Sequence, residues 1–390
     1  IIRTKNYSNY PQAKEKLLKA LELEPRAAYI HNALGVLYGQ ENSFDKAHIH
    51  YEKAKELIPN WAYPINNLGT NYFDQYQYKK AKYWYEEALA HAPEYHTALQ
   101  NLGALYKSQG KYQAAEQYYL RSADTSGALQ AITLRNLGGL YEDRGNIKKA
   151  LAYYKRALEQ DPKDVDNYYN YSDLLIDEAI DIAQGEALLQ EAIAIEPYFS
   201  KGHATYADLL RRYPKSEASY TQALELYDFA IANDPFYEWA YAGRGWLYSR
   251  QEQPDKALAS FKAGIAANPE KPRAYYYLAQ YYKSALTDFE NAEKYLKSAL
   301  SHSSQRPSSL ISLAGLYYAK SDLHKAQEVV EKYEATGRVT PRALMLSYSI
   351  QQRMGHIEKA QTTAGIILQT YPGSTEAKAI SSEQLKRTEF

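Results

Sequence analysis

The chain has 390 residues, with 46 Lys and Arg against 46 Asp and Glu and a formal net charge of zero. A length beyond that of one compact domain points to two or three domains or to one elongated array. Charge neutrality excludes a protein built mainly to hold a phosphate backbone, and the lack of any cysteine excludes disulfides, thiolate metal sites and a thiol nucleophile.

No window approaches the roughly 18 consecutive apolar residues of a membrane span, and none reads as a signal peptide. The composition fits a soluble segment and leaves the compartment open, with the cytoplasm slightly favoured over a periplasm or lumen. Tyrosine is over-used, at 41 residues against 8 Phe and 4 Trp. A large apolar body with a polar tip suits a thin structure whose core positions all lie near a surface, so this bias favours an elongated array.

In chain order, Ile1 to Tyr7 read as the tail of a first helix whose beginning is missing, which suggests a fragment of a longer polypeptide. A second helix follows, Ala13-x-x-x-Leu17-x-x-Ala20, closed by Pro25. From there a Leu-Gly pair recurs at Leu34-Gly35, Leu68-Gly69, Leu102-Gly103 and Leu137-Gly138, each followed three residues later by Tyr38, Tyr72, Tyr106 or Tyr141. The stretch 62–95 is the cleanest copy, with Ala81, Tyr85 and Ala88 on its second helix and Pro93 closing it. Further closers are Pro59, Pro162, Pro197, Pro235, Pro269 and Pro372. The period is about 34 residues.

Each residue type has a steric reason. Gly69 and Ala81 are small where paired helices approach closely, Tyr72 and Tyr85 fill the space between helices, and Pro93 stops the second helix. Gly110, Gly145 and Gly355 suit left-handed caps at the ends of first helices.

At these residues the chain resembles the tetratricopeptide repeat family. The resemblance implies an all-α, right-handed superhelical solenoid of helix-turn-helix repeats. It divides the chain into a truncated repeat (1–27), about ten repeats (28–373) and a C-terminal capping helix (374–390). The spacing slips near 122–131, 179–185, 211–221 and 284–291. Contacts are expected only between neighbouring repeats, so that stability is close to a one-dimensional sum.

No catalytic motif is present. His48-x-His50 places two histidines on different helix faces, His91 and His96 straddle a turn, and Gly243-x-Gly245 lies inside a helix with no preceding strand. Neither a cofactor nor a metal is expected, nor is nucleic acid a partner.

In the resembled family the first helices line a concave groove, and the residue before the Leu-Gly pair points into it. Here that place holds Asn67, Asn101 and Asn136, with Asn170 in the next repeat. Such a ladder of donors and acceptors can bond an extended peptide backbone. It resembles the asparagine ladder in the repeat arm of O-linked N-acetylglucosamine transferases. By the same register Glu142, Asp143, Asp173, Asp177 and Asp208 make an acidic stretch near Tyr169. Arg211, Arg212, Arg250, Arg273 and Lys283 make a basic one beside Trp239 and Trp246.

The Lys and Asn set that holds chaperone C-termini in part of the family is missing from any three consecutive repeats. The expected function is a non-catalytic scaffold that binds an extended segment of a partner protein. The rivals are the substrate-recruiting arm of a larger enzyme and a structural part of a membrane or envelope assembly.

Overall fold

The computed structural model describes residues 10–123 and 128–388. Two expectations, a partial helix over Ile1 to Tyr7 and the details of the slip at 124–127, lie outside the described residues. Among the described residues there are twenty-two α-helices and no strand.

A lone helix α1 (Tyr10–Leu23) is followed by ten hairpins. Hairpins one to five are α2 (Ala28–Gln40) with α3 (Phe44–Leu57), α4 (Ala62–Asp74) with α5 (Tyr78–His91), α6 (His96–Ser108) with α7 (Tyr112–Ser122), α8 (Ala128–Asp143) with α9 (Ile147–Gln160), and α10 (Val165–Asp177) with α11 (Ile182–Ile195). Hairpins six to ten are α12 (Ser200–Arg212) with α13 (Ala218–Asn233), α14 (Glu238–Arg250) with α15 (Pro254–Ala267), α16 (Pro272–Ser284) with α17 (Phe289–His302), α18 (Pro307–Ala319) with α19 (Leu323–Ala335), and α20 (Pro341–Arg353) with α21 (Ile357–Thr370). Helix α22 (Thr375–Thr388) ends the array. First helices of successive hairpins also touch one another, which puts them on the concave side.

The Leu-Gly pair has a direct physical cause. A Cβ built on Gly69 would sit 2.5 Å from Cδ1 of Tyr85, and the same holds at Gly35 against Tyr51, Gly103 against Tyr119 and Gly138 against Tyr154. The second helix therefore lays a tyrosine ring flat on the bare backbone of the first. Tyr85 and Tyr119 are buried by this, while Tyr72 and Tyr106, three residues after the pair, are only half-buried near the surface.

The turn inside most hairpins, though not hairpin six, uses a left-handed residue shortly past the first helix. Gly110, Gly145 and Gly355 supply it at φ near +70 to +77, and at the same place Asn42, Tyr76, Ala179, Glu252 and Ser321 adopt positive φ without being glycine. Tyr76 is the bulkiest of these, at φ 63, with its N–H donating to the Phe73 carbonyl at 2.8 Å. An L-residue pays roughly 1–2 kcal/mol for that conformation.

The array coils until it meets itself. Arg306, just before hairpin nine, donates to the Tyr76 hydroxyl in the turn of hairpin two at 2.9 Å. Val339, before hairpin ten, donates its N–H to the Ser108 carbonyl of hairpin three at 3.4 Å. Tyr371, after hairpin ten, packs edge-on against Tyr112 with ring centroids 5.9 Å apart. A Cβ built on Gly145 of hairpin four would sit 3.9 Å from the carbonyl carbon of Gly373, before α22.

Each turn thus faces the linker leading into the element seven hairpins on: two against nine, three against ten, four against α22. This corrects the expectation that contacts run only between neighbours. The small rotation added at each repeat brings the eighth above the first, and small residues at Gly110, Gly145 and Gly373 let the wall close there.

Candidate partner-binding groove

The asparagine ladder stands on the first helices. Asn67 donates its side-chain amide to Asn32 Oδ1 at 2.9 Å, and Asn101 donates to Asn66 Oδ1 at 2.9 Å and to Thr70 Oγ1 at 3.4 Å. Asn170 donates to the Asp166 carbonyl of its own helix at 2.6 Å, and Asn136 is half-buried. The amides of Asn67 and Asn101 therefore tie each first helix to the one before it. An amide nitrogen carries two hydrogens, so Asn67 and Asn170 each keep one donor available, whereas Asn101 uses both. Asn32 and Asn66, the acceptors, were not expected; the Asn66-Asn67 doublet is the signal that could have found them.

The acidic stretch comes together on α8 and α10. Burial first, then Asp177, push the Asp173 carboxyl up to about 7, with Lys201 opposing. Burial likewise raises Glu142, although it accepts a hydrogen bond from the Tyr154 hydroxyl at 2.6 Å. Tyr169 donates to Asp173 at 3.4 Å, and the Lys201 ammonium lies 3.4 Å from the centre of the Tyr169 ring. Lys107 is 3.3 Å from Asp143.

The basic stretch is divided. Arg212 pairs with Asp177, and Arg211 pairs with the buried Asp208, so these arginines neutralise the far end of the acidic run. Arg250 is exposed, 5.8 Å from the Tyr220 ring centre. Trp239 meets Tyr277 edge-on at 5.4 Å, and Trp246 is half-buried between Phe261 and Tyr281, at 5.6 and 5.4 Å. Burial, with Arg342 adding to it, lowers the Lys283 ammonium.

Arg273 projects elsewhere, into a cavity of about 830 Å³ between the turns of hairpins one and two and the linkers before hairpins eight and nine. Its Nε is 3.4 Å from Glu238, which Lys271 also meets at 2.9 Å. Across the cavity Asp74 is open to solvent but walled by protein, which pushes its carboxyl up to about 6 against the opposing charge of Arg273. Arg306 and Arg338 complete the basic side. Lys271, Glu238, Asp74, Arg306 and Arg338 were missed by sequence reasoning, because only the coiling of the whole array brings them together.

Sequence profiles described as tetratricopeptide repeat match residues 8–60 and 243–283, 65–90, and 97–163. The chain belongs to the tetratricopeptide repeat family. No curated protein matches the sequence. Among solved structures, a thermophilic tetratricopeptide repeat protein of Thermus thermophilus is similar at 21% identity over 48% of this chain and 99% of that one, with a TM-score of 0.41. Yeast Tom70 is similar at 15% identity over 93% and 96%, with a TM-score of 0.40, and PilF of Pseudomonas aeruginosa at 20% over 57% and 99%, with a TM-score of 0.38.

Tetratricopeptide repeats are typically scaffolds for protein–protein interaction. Among the described residues of this tetratricopeptide array, no helix is long and apolar enough to cross a membrane, and no group of three or more His, Asp or Glu is placed to hold a metal. What its concave face offers is amide donors at one end, a strip of carboxylates in the middle, and isolated cations beyond.

Proposed function

We propose that this tetratricopeptide repeat protein is a non-catalytic scaffold that holds an extended segment of a partner protein in its concave groove, with basic side chains of the segment against Glu142, Asp143, Asp173 and Asp177. The supporting observation is the state of Asp173. Its carboxyl is held up to about 7 by burial and by Asp177, while the nearest cation, Lys201, sits over the Tyr169 ring. A strip with more carboxylate than cation favours a cation from outside. The side-chain amide groups of Asn67, Asn101, Asn136 and Asn170 supply backbone contacts, and Trp239 supplies an aromatic anchor.

The test is a display library of unstructured segments from the native proteome, selected on the full chain and measured by fluorescence anisotropy. Selected segments should carry Lys or Arg, bind at least tenfold more weakly to Asp173→Asn/Asp177→Asn, and lose affinity for the quadruple Asn→Ala variant. Segments without basic residues, or affinities unchanged in both folded variants, would overturn the reading.

A further inference from the structure

The linker before hairpin nine holds a buried guanidinium with no counter-ion of its own. Arg306 is 7% exposed. It gives one hydrogen bond, to the neutral hydroxyl of Tyr76 at 2.9 Å, and its Nε has no partner. The Tyr276 ring lies 5.8 Å from its guanidinium carbon. Burial is the main cause that lowers its affinity for its proton, and a second cation, Arg273, adds to it. Glu238 is a carboxylate that favours the charged Arg306, and it is already shared between Lys271 at 2.9 Å and Arg273 at 3.4 Å. Three cations therefore draw on one buried carboxylate.

Burying an ion without a partner is among the most costly things a fold can do. The remaining acids of the cavity, Asp45, Asp74 and Glu270, do not remove the deficit: Asp45 is exposed in the first turn of α3. Asp74 carries a carboxyl pushed up to about 6 and acts through Arg273, and Glu270 is turned to solvent with His302 at 3.4 Å. Both walls also carry backbone charge of the right sign. Lys271 and Arg306 are the N-caps of α16 and α18, neither helix start has a side-chain cap, and both begin with proline. Their free N–H groups and the positive ends of their dipoles lie beside the same space.

We propose that this cavity is a binding site for an oxyanion, a phosphate or carboxylate group, held by Arg306 and Arg273. The Arg306 Nε, which has no partner, and the adjacent guanidinium of Arg273 offer planar donors suited to two oxygens of such a group. A volume of about 830 Å³ admits the group on a small molecule as well as alone. The bound anion sits where the turn of hairpin one faces the linker of hairpin eight, the place in the wall that direct contact leaves open. This site is separate from the acidic strip on α8 and α10, and it requires no partner protein.

The test is isothermal titration of the full chain with inorganic phosphate at constant ionic strength, in chloride buffer. Phosphate should bind saturably at one site, and Arg306→Gln and Arg273→Gln should each weaken it at least tenfold. Arg250→Gln, on an exposed residue outside the cavity, should leave it unchanged. Arg273 is half exposed, so its variant keeps the experiment decisive if Arg306→Gln fails to fold. Non-saturable binding, or unchanged affinity in the folded arginine variants, would overturn the proposal. A blocked tetraglutamate peptide separates the sources: stoichiometric displacement of phosphate assigns a partner-borne carboxylate, and no displacement assigns a free anion, both upholding the site.

Discussion

The Arg306 guanidinium donates to the Tyr76 hydroxyl at 2.9 Å across 230 residues of sequence, and Tyr76 holds a left-handed backbone to make that bond. Local strain in hairpin two is thus offset by an interaction that exists only once hairpin nine is in place. Tyr76→Phe keeps the ring and the strain but removes the acceptor. It should destabilise the chain by about 1–3 kcal/mol, the cost of leaving a buried charged donor unsatisfied, read from urea unfolding by circular dichroism. Tyr72→Phe, on a half-buried ring of the preceding helix α4, should cost well under half as much.

Contact between coils also couples distant hairpins. Tyr371 is 1% exposed, its ring meets Tyr112, and its hydroxyl donates to the Val339 carbonyl at 3.1 Å. Tyr371→Ala should cost about 3–5 kcal/mol and raise amide hydrogen exchange in α6 and α7, far away in sequence. A purely nearest-neighbour array would confine the added exchange to the last two hairpins.

Glycines in the helices should divide into two classes. Gly69→Ala drives a methyl to 2.5 Å from the buried Tyr85 ring and should destabilise by about 1–3 kcal/mol through overpacking. Gly365→Ala, in α21 with nothing within 4 Å of the new methyl, should gain about 0.5–1 kcal/mol from helix propensity. Thermal unfolding of the two variants side by side checks the contrast, and Tyr85→Leu in the Gly69→Ala background should recover part of the loss.

Acidity supplies the fourth expectation. Asp173 is pushed up from 3.8 to about 7 in the folded chain, and Asp74 from 3.8 to about 6. A carboxyl whose folded value exceeds its unfolded one binds its proton more tightly when folded. Its contribution is therefore present at low pH and is lost as pH rises from about 4 through 7. Asp173→Asn should raise the urea midpoint most at pH 8, raise it much less at pH 5, and flatten the fall between them.

The hairpin was legible because its code is local. Gly69 and Tyr85 are sixteen residues apart and each predicts the other by size, so a single copy nearly suffices. Charge on the concave face was legible by residue type but not by partner: Arg212 reaches Asp177 and Arg211 reaches Asp208, pairings that depend on how far one hairpin is rotated on the next. The cavity was not legible at all. Tyr76 and Arg306 meet only after seven such rotations have accumulated, and no window of sequence reports their sum.

The closed wall sets a topological rule for loading. Where hairpins two to four touch hairpins nine, ten and α22, a chain lying along the axis is encircled. If a partner segment lies in the groove as proposed, one with a free, unfolded end would thread through from an opening of the coil, whereas one whose segment lies between two folded domains would wait for the contacts at Tyr76, Tyr112 and Gly145 to part. Residence of the second kind of partner is then governed by how often the protein itself uncoils, and strengthening those contacts would slow its arrival and departure alike.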